Sequence, residues 1–235
     1  MKIFTYIKDN SSRIEKKNFQ TLGNLVLWKH LIYELASGGL EIFIDTDSKE
    51  ILTQCSVDPN LSKVVAYARK NSHIKMETED ANKLSPSLLM IERFLNEHVD
   101  DEEEPIVLTH VTSPFLKKET ILDAVEILKN NNYEYIHSVV KEKNFVFLKD
   151  FKGSVNFDPT VVQKTQDLET VYLSNGAFFV FTKKTFMRNK NRWGENMYFY
   201  PLTHLESVEI DYPDDLFFAE ILYNAINNNS SKECA

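Results

Sequence analysis

The chain is predicted to fold as an α/β protein on a mostly parallel sheet, because two observations agree. Up to Val140, apolar β-type runs alternate with segments of helical period. Beyond about residue 144 that alternation gives way to short aromatic-rich runs separated by long loops. Alternation implies parallel strands joined by right-handed helical crossovers, with helices on both faces and the sheet as the middle of three layers. The later pattern implies an antiparallel β extension over roughly residues 144–200.

The elements follow in order. Ile3–Ile7 is the first strand, and the apolar spacing from roughly 25 to 36 is the first helix. Leu40–Ile44, a helix near 48–56, and Lys63–Ala68 come next. A helix near 85–97 has a start signal in Ser85 followed by Pro86, a capping side chain ahead of proline in the first turn. Ile106–Leu108, a helix near 118–130 and Tyr135–Val140 complete the alternation. The extension carries Phe145–Leu148, Val171–Leu173, Phe178–Phe181 and Tyr198–Tyr200, with long loops at Val155–Gln166 and Arg188–Asn196. Glu206–Ile210 is then predicted as a strand, Pro213–Asn227 as a helix, and Asn227–Ala235 as a disordered tail.

Composition bounds what such a chain does. With 43% hydrophobic and 26% charged residues, it is expected to be one soluble globular domain over residues 1–235. The net charge of −8 argues against nucleic-acid binding, which draws its affinity from phosphate neutralisation. No apolar run approaches the ~18–20 residues of a membrane span, so no membrane partner is expected. The quickly polar start Met-Lys-Ile-Phe-Thr-Tyr-Ile-Lys does not fit a secretory signal. Cys55 and Cys234 have neither metal-ligand spacing nor the pattern of a disulfide framework, which suits the cytoplasm.

In an α/β sheet the ligand lies beyond the carboxyl ends of the strands, so the loops there carry the chemistry. Behind the first strand stands Lys8-Asp9-Asn10-Ser11-Ser12-Arg13-Ile14-Glu15-Lys16-Lys17-Asn18, four cations among small polar residues in an acidic protein. Such a segment is either a solvated basic loop or a cradle for a polyphosphate, held by side-chain charge and backbone N–H groups. Asp45-Thr46-Asp47-Ser48 follows the second strand, and Thr109-His110-Val111-Thr112-Ser113-Pro114 follows the fourth. Near the end, Glu209 and Asp211 alternate onto one side of an extended segment and could share one Mg²⁺; alternatively, Asp211 caps the helix that starts at Pro213. Asn175-Gly176 carries the signal of a tight hairpin turn.

Six segments in order resemble the cytidylyltransferases that activate sialic acid and related nine-carbon sugar acids as CMP-sugars. Lys17-Asn18 matches the closing pair of that family's first loop, and Thr46-Asp47-Ser48 resembles its Ser-Thr-Asp stretch. Thr112-Ser113-Pro114 matches its Thr-Ser-Pro. Thr165-Gln166-Asp167-Leu168 with Asn175-Gly176-Ala177 resembles its Gln-Asp-Leu and Asn-Gly-Ala pair. Asn191-Arg192-Trp193-Gly194, and Glu209-Ile210-Asp211 with Pro213-Asp214-Asp215, resemble its last third. The chain also departs from the pattern. Lys8 stands where arginine is usual, His110 where glutamine is usual, and Thr165 where sialic-acid enzymes often carry an arginine.

The resemblance implies a fold of the nucleotide-diphospho-sugar transferase (Rossmann-like) type and CMP transfer from CTP to an acidic sugar of the sialic, legionaminic or pseudaminic class. Other readings are an eight-carbon ulosonic acid as acceptor, or a catalytically weakened nucleotide-binding homologue with a scaffolding role. Lys8, Lys17 and Asp211 are implied as catalytic, and Lys8, Asn10, Ser11, Arg13, Lys17 and Asn18 as nucleotide-binding. Asp80 and Ser85, in a stretch that loosely resembles the base-binding loop, join the nucleotide set. His110, Thr112, Ser113, Lys164, Gln166, Asn175 and Arg192 are implied to hold the sugar, and Asp211 with Glu209 to hold Mg²⁺. The resemblance further implies a homodimer packed through the aromatic extension, with Trp193, Tyr198 and Tyr200 as core or subunit contacts.

Overall fold

The computed structural model describes residues 1–79, 85–149 and 153–230. Its main sheet has seven strands: β1 (Lys2–Ile7), β4 (Ile42–Thr46), β5 (Val64–Ala68), β6 (Pro105–Thr109), β7 (Tyr135–Glu142), β8 (Val171–Thr182) and β9 (Met197–Pro201). They lie in the order β5-β4-β1-β6-β8-β7-β9. The pairs β5–β4, β4–β1, β1–β6 and β7–β9 are parallel, and β8 runs antiparallel to both of its neighbours. The order reverses at β1, which has β4 on one side and β6 on the other. That reversal opens a crevice at its carboxyl end.

Alternation along the strands divides the core. Ile3 and Ile7 of β1 face a cluster built with Trp28, Leu31, Ile32 and Leu35 of α1 (Leu27–Ser37) and Ile121, Ala124, Val125 and Leu128 of α5 (Lys118–Asn130). Phe4 faces the other side, against Met90, Ile91, Phe94 and Leu95 of α4 (Ser87–His98). Each helix presents its stripe at spacings of three and four, and each large apolar side chain so buried contributes about 1.5–3 kcal/mol. α2 (Lys49–Val57), whose first turn is capped by Ser48, completes the first face.

Several expectations are corrected. Leu25 and Val26 belong not to the first helix but to a two-stranded hairpin of β2 (Thr21–Leu22) and β3 (Leu25–Val26), turned at Gly23 with φ +60°. Asn175-Gly176 makes no hairpin: Val171–Thr182 is one strand, bulged where Gly176 takes φ +71° and the register against β7 shifts. Phe145–Leu148 is reduced to a single bridge between Phe147 and Ser154. Glu206–Ile210 forms no strand and runs as turn and irregular chain. Ser85 lies outside α4, its Oγ accepting from Ser87 N at 3.3 Å, with Pro86 at the cap position. α3 (Asn71–Glu79) and α6 (Lys183–Asn189) arise in stretches too polar or too short to show a helical stripe. α7 (Pro213–Ser230) continues past Asn227, where a tail was expected. No helix among the described residues is long and apolar enough to cross a membrane.

Candidate active site

The loops at the carboxyl ends of β1, β4 and β6 converge on a cavity of about 780 Å³. The basic segment forms one wall with Lys8, Asn10, Ser11, Arg13, Lys17 and Asn18, while His110 and Thr112 enter from the loop after β6. Glu209 and Asp211 reach it from the chain ahead of α7. Although no ladder forms there, the alternation holds: Ile210 is fully buried between them and its N–H donates to Thr112 O at 2.9 Å.

The basic segment owes its shape to an apolar residue. Ile14 inserts among Leu22, Leu27, Ile210 and Ala219, so its charged neighbours point outward from a fixed base. Asn18 Nδ2 donates to Lys8 O at 2.8 Å and closes the loop on itself. Asp9 N donates to Asp47 Oδ1 at 2.7 Å and ties the loop to the end of β4.

Each cation of the loop is held by a carboxylate. Lys17 Nζ and Arg13 Nη2 both donate to Asp211 Oδ1, at 2.9 and 2.8 Å, and Lys17 also reaches Ile210 O at 3.0 Å. Lys8 Nζ lies 3.0 Å from Glu77 Oε1, and Lys16 pairs with Asp9. The Lys8 and Arg13 side chains are exposed although Glu77 and Asp211 are not, so solvent screens both pairs from the cation side and an incoming polyphosphate can compete for them. Asp211 Oδ1 is taken up by Lys17 and Arg13, while the N–H groups of Asp211 and Tyr212 donate to Asp215 Oδ2 in the first turn of the helix that follows. Glu209 has no ion-pair partner among the described residues; burial and the nearby Asp211 charge push its carboxyl up to about 7.

A second, smaller cavity of about 270 Å³ adjoins the first and shares His110 and Glu209 with it. It is lined further by Ser174, Asn175, Gly176, Phe179 and Arg192. Asn175 spends its amide on the bulge: Nδ2 donates to Ser207 O, and Oδ1 accepts from Ala177 N and Ser138 Oγ. Burial and the Arg192 charge hold both His110 and His137 down to about 4, so both rings are neutral at pH 7.

The structure therefore gathers Lys8, Asn10, Ser11, Arg13, Lys17, Asn18, His110, Thr112, Glu209 and Asp211 around the larger cavity, and Asn175 and Arg192 at the smaller one. Ser85, Lys164 and Gln166 lie on exposed chain and line neither cavity; Ser113 is fully buried and lines neither. Asp80 lies outside the described residues. Sequence reasoning did not name Tyr6, Asp47, Ile74, Glu77 and Thr78 as lining residues. The last three come from α3, whose helix-favouring run Lys75-Met76-Glu77 was its one local signal.

Comparison with known proteins identifies the family and the fold. Residues 9–225 match the model of a family described as cytidylyltransferase. Over 213 residues the chain is 26% identical to an N-acylneuraminate cytidylyltransferase of Streptococcus agalactiae, covering 88% of this chain. It spans 49%, about half, of that relative's length. A CMP-N,N'-diacetyllegionaminic acid synthase of Legionella pneumophila is 29% identical over 223 residues, covering 90% of this chain and 91% of that protein. Among solved structures, a CMP:2-keto-3-deoxy-manno-octonic acid synthetase complexed with CTP shares the fold. Its TM-score is 0.63 at 11% identity, over 95% of this chain and 98% of that one. With the family model spanning residues 9–225, the chain belongs to the cytidylyltransferase family.

Proposed function

We propose that this chain transfers CMP from CTP to an acidic sugar of the sialic or legionaminic type. The observation that carries the reading is the larger cavity itself, with three cations of one loop facing two carboxylates at the switch point of the sheet. In the reaction, the acceptor's anomeric oxygen forms a bond to the α-phosphorus of CTP. The bond from that phosphorus to the oxygen bridging to the β-phosphate breaks, pyrophosphate leaves, and the hydroxyl proton passes to solvent. Lys8, Arg13 and Lys17 neutralise the triphosphate, while Asn10, Ser11 and loop N–H groups hold single oxygens. The pairs seen here keep these side chains extended toward the cavity before nucleotide arrives.

Two carboxylates facing where phosphate would lie suit Mg²⁺, which favours few carboxylates completed by phosphate oxygens and water. Asp211 and Glu209 would hold it, and when bound it would draw charge from the phosphoryl oxygens. The test is pyrophosphate release with CTP and a panel of N-acetylneuraminic acid, N,N'-diacetyllegionaminic acid and 3-deoxy-manno-octulosonate. Release with one of the nine-carbon acids is expected. Measurable CTP binding with no release from any acid would replace this reading with the nucleotide-binding scaffold.

The working form is proposed to be a homodimer. Phe145, Leu148, Val161, Val162, Tyr172, Leu173 and Phe199 are exposed along the extension, the kind of apolar surface that a subunit contact covers. Light scattering at micromolar concentration is expected to give twice the 27.3 kDa chain mass; a particle of the chain mass would remove the dimer.

A further inference from the structure

Four carboxylates among the described residues line the larger cavity, and three of them have a use there. Asp47 ties the basic loop to the end of β4, and Asp211 and Glu209 would hold Mg²⁺. Glu77 serves neither purpose. It reaches the cavity from α3, beside Ile74 and Thr78, and divides its two oxygens between two cations. Oε1 lies 3.0 Å from Lys8 Nζ, and Oε2 accepts from Arg69 Nη1 at 3.1 Å. An anion set on a lysine that is to hold phosphate opposes that lysine's ligand, so its place needs a reason.

The two ends of this bridge differ. Arg69 is fully withdrawn from solvent and fixed by Asp45 Oδ1 at 2.7 Å, by Asp45 O and by Ile7 O. Ile7 and Asp45 belong to the carboxyl ends of β1 and β4, so the guanidinium is a post set in the sheet. Lys8 is exposed, at the start of the basic loop. Its three donors turn on a flexible four-carbon stem, and an ammonium of that kind passes between anions more freely than a planar guanidinium does. Glu77 is nearly buried, so water screens its charge poorly. Its carboxylate therefore stays on Arg69 when Lys8 leaves it.

We propose that Glu77 is a tethered competitor for Lys8. It holds the ammonium while the cavity is empty, yields it to the incoming triphosphate, and reclaims it as pyrophosphate leaves. A competitor carried on the same chain acts at high effective concentration, so it weakens any polyphosphate that uses Lys8 and shortens its stay. Pyrophosphate, without the nucleoside's contacts, has less to set against it than CTP. The inference rests on the proposed CTP-dependent transfer for the identity of the polyphosphate, and on the bridge geometry for the competition.

The experiment titrates inorganic pyrophosphate into the full chain by calorimetry, at low ionic strength and without divalent metal. Glu77→Gln is expected to bind it about 5- to 30-fold more tightly than the wild type, the range of removing one poorly screened charge and one ion pair. Loss of a merely structural contact would weaken binding, whereas removal of a competitor strengthens it. Glutamine keeps an oxygen for Arg69. Glu77→Asp guards against a folding artefact: it keeps the anion for Arg69 but is one methylene too short to bridge both cations, and should show part of the gain. In a Lys8→Met background most of the gain from Glu77→Gln should disappear. Unchanged or weaker binding in either Glu77 variant would overturn the competitor. So would an equal gain in the Lys8→Met background, which would make Glu77 a general repulsive charge, or no binding of pyrophosphate by any form. Pyrophosphate release from CTP is read separately: its absence with every sugar acid removes the transfer reading, while the titration still decides the competition.

Discussion

Changing Asp211 to asparagine is expected to lower turnover by about 10²–10³-fold at saturating CTP and magnesium, the effect of losing one electrostatic group facing a charged transition state. The carboxylate is where Lys17 and Arg13 converge, and it faces the larger cavity beside Glu209. Asparagine keeps the shape and removes the charge. Helix uncapping cannot produce the loss, because asparagine caps a helix about as well as aspartate. Stability should also fall, since the buried Lys17 ammonium keeps Ile210 O but loses its anion; about 1–3 kcal/mol is expected. Glu209→Gln should slow turnover less. Turnover, CTP affinity and melting temperature measured on both variants separate these effects, and an Asp211→Asn protein with full turnover would remove the carboxylate from the proposed machinery.

Arg69→Met is expected to destabilise the protein by about 3–5 kcal/mol, enough to unfold many domains of ordinary stability. The guanidinium is fully withdrawn from solvent and fastens three strand ends. Nε donates to Asp45 Oδ1 at 2.7 Å, Nη2 to Ile7 O and Asp45 O, and Nη1 to Glu77 Oε2 at 3.1 Å. Methionine fills much of the volume but leaves Asp45, itself fully buried, with Arg93 at 3.5 Å as its remaining cation. Urea denaturation reads the change directly, and a loss under about 1 kcal/mol would show that Asp45 finds other partners. A milder consequence follows at the site: Glu77 would be left to Lys8 alone, so α3 should lose its tie to the sheet.

What the sequence made legible has a physical pattern. The strands Ile3–Ile7 and Ile106–Leu108 were readable because a strand buried on both faces is written as an unbroken apolar run, and the half-exposed edge strand within Lys63–Ala68 because Val64, Val65 and Tyr67 favour extended chain. α3 was not readable, since among its described side chains only His73 is buried and the others are half-buried or exposed. Gly176 signalled a positive φ correctly, but two-residue turns and bulges within one strand share that signal, and the pairing of β8 across β7 decided for the bulge. Charge along the basic loop was a local feature and therefore visible. Its counter-ions were not: Asp211 is 198 residues from Arg13, and no local pattern announces such a pairing. Arg192 was placed with the acceptor by resemblance, whereas its seat over the Phe179 ring is a property of three-dimensional packing alone.

The seating of Ile14 against α7 has a consequence for where affinity resides. Leu22, Ala219 and Tyr223 come from segments two hundred residues apart, and the Tyr223 ring occupies the space a side chain at Gly23 would need. The C-terminal helix is thus the mould in which the anion-holding segment is cast. A synthetic peptide of residues 8–18 would carry every one of the loop's ammonium and guanidinium groups, yet would have to freeze about 1–2 kcal/mol of backbone entropy per residue before they could converge. In the folded chain that ordering is complete before any ligand arrives, so charge and geometry, though drawn from opposite ends of the sequence, act as one surface.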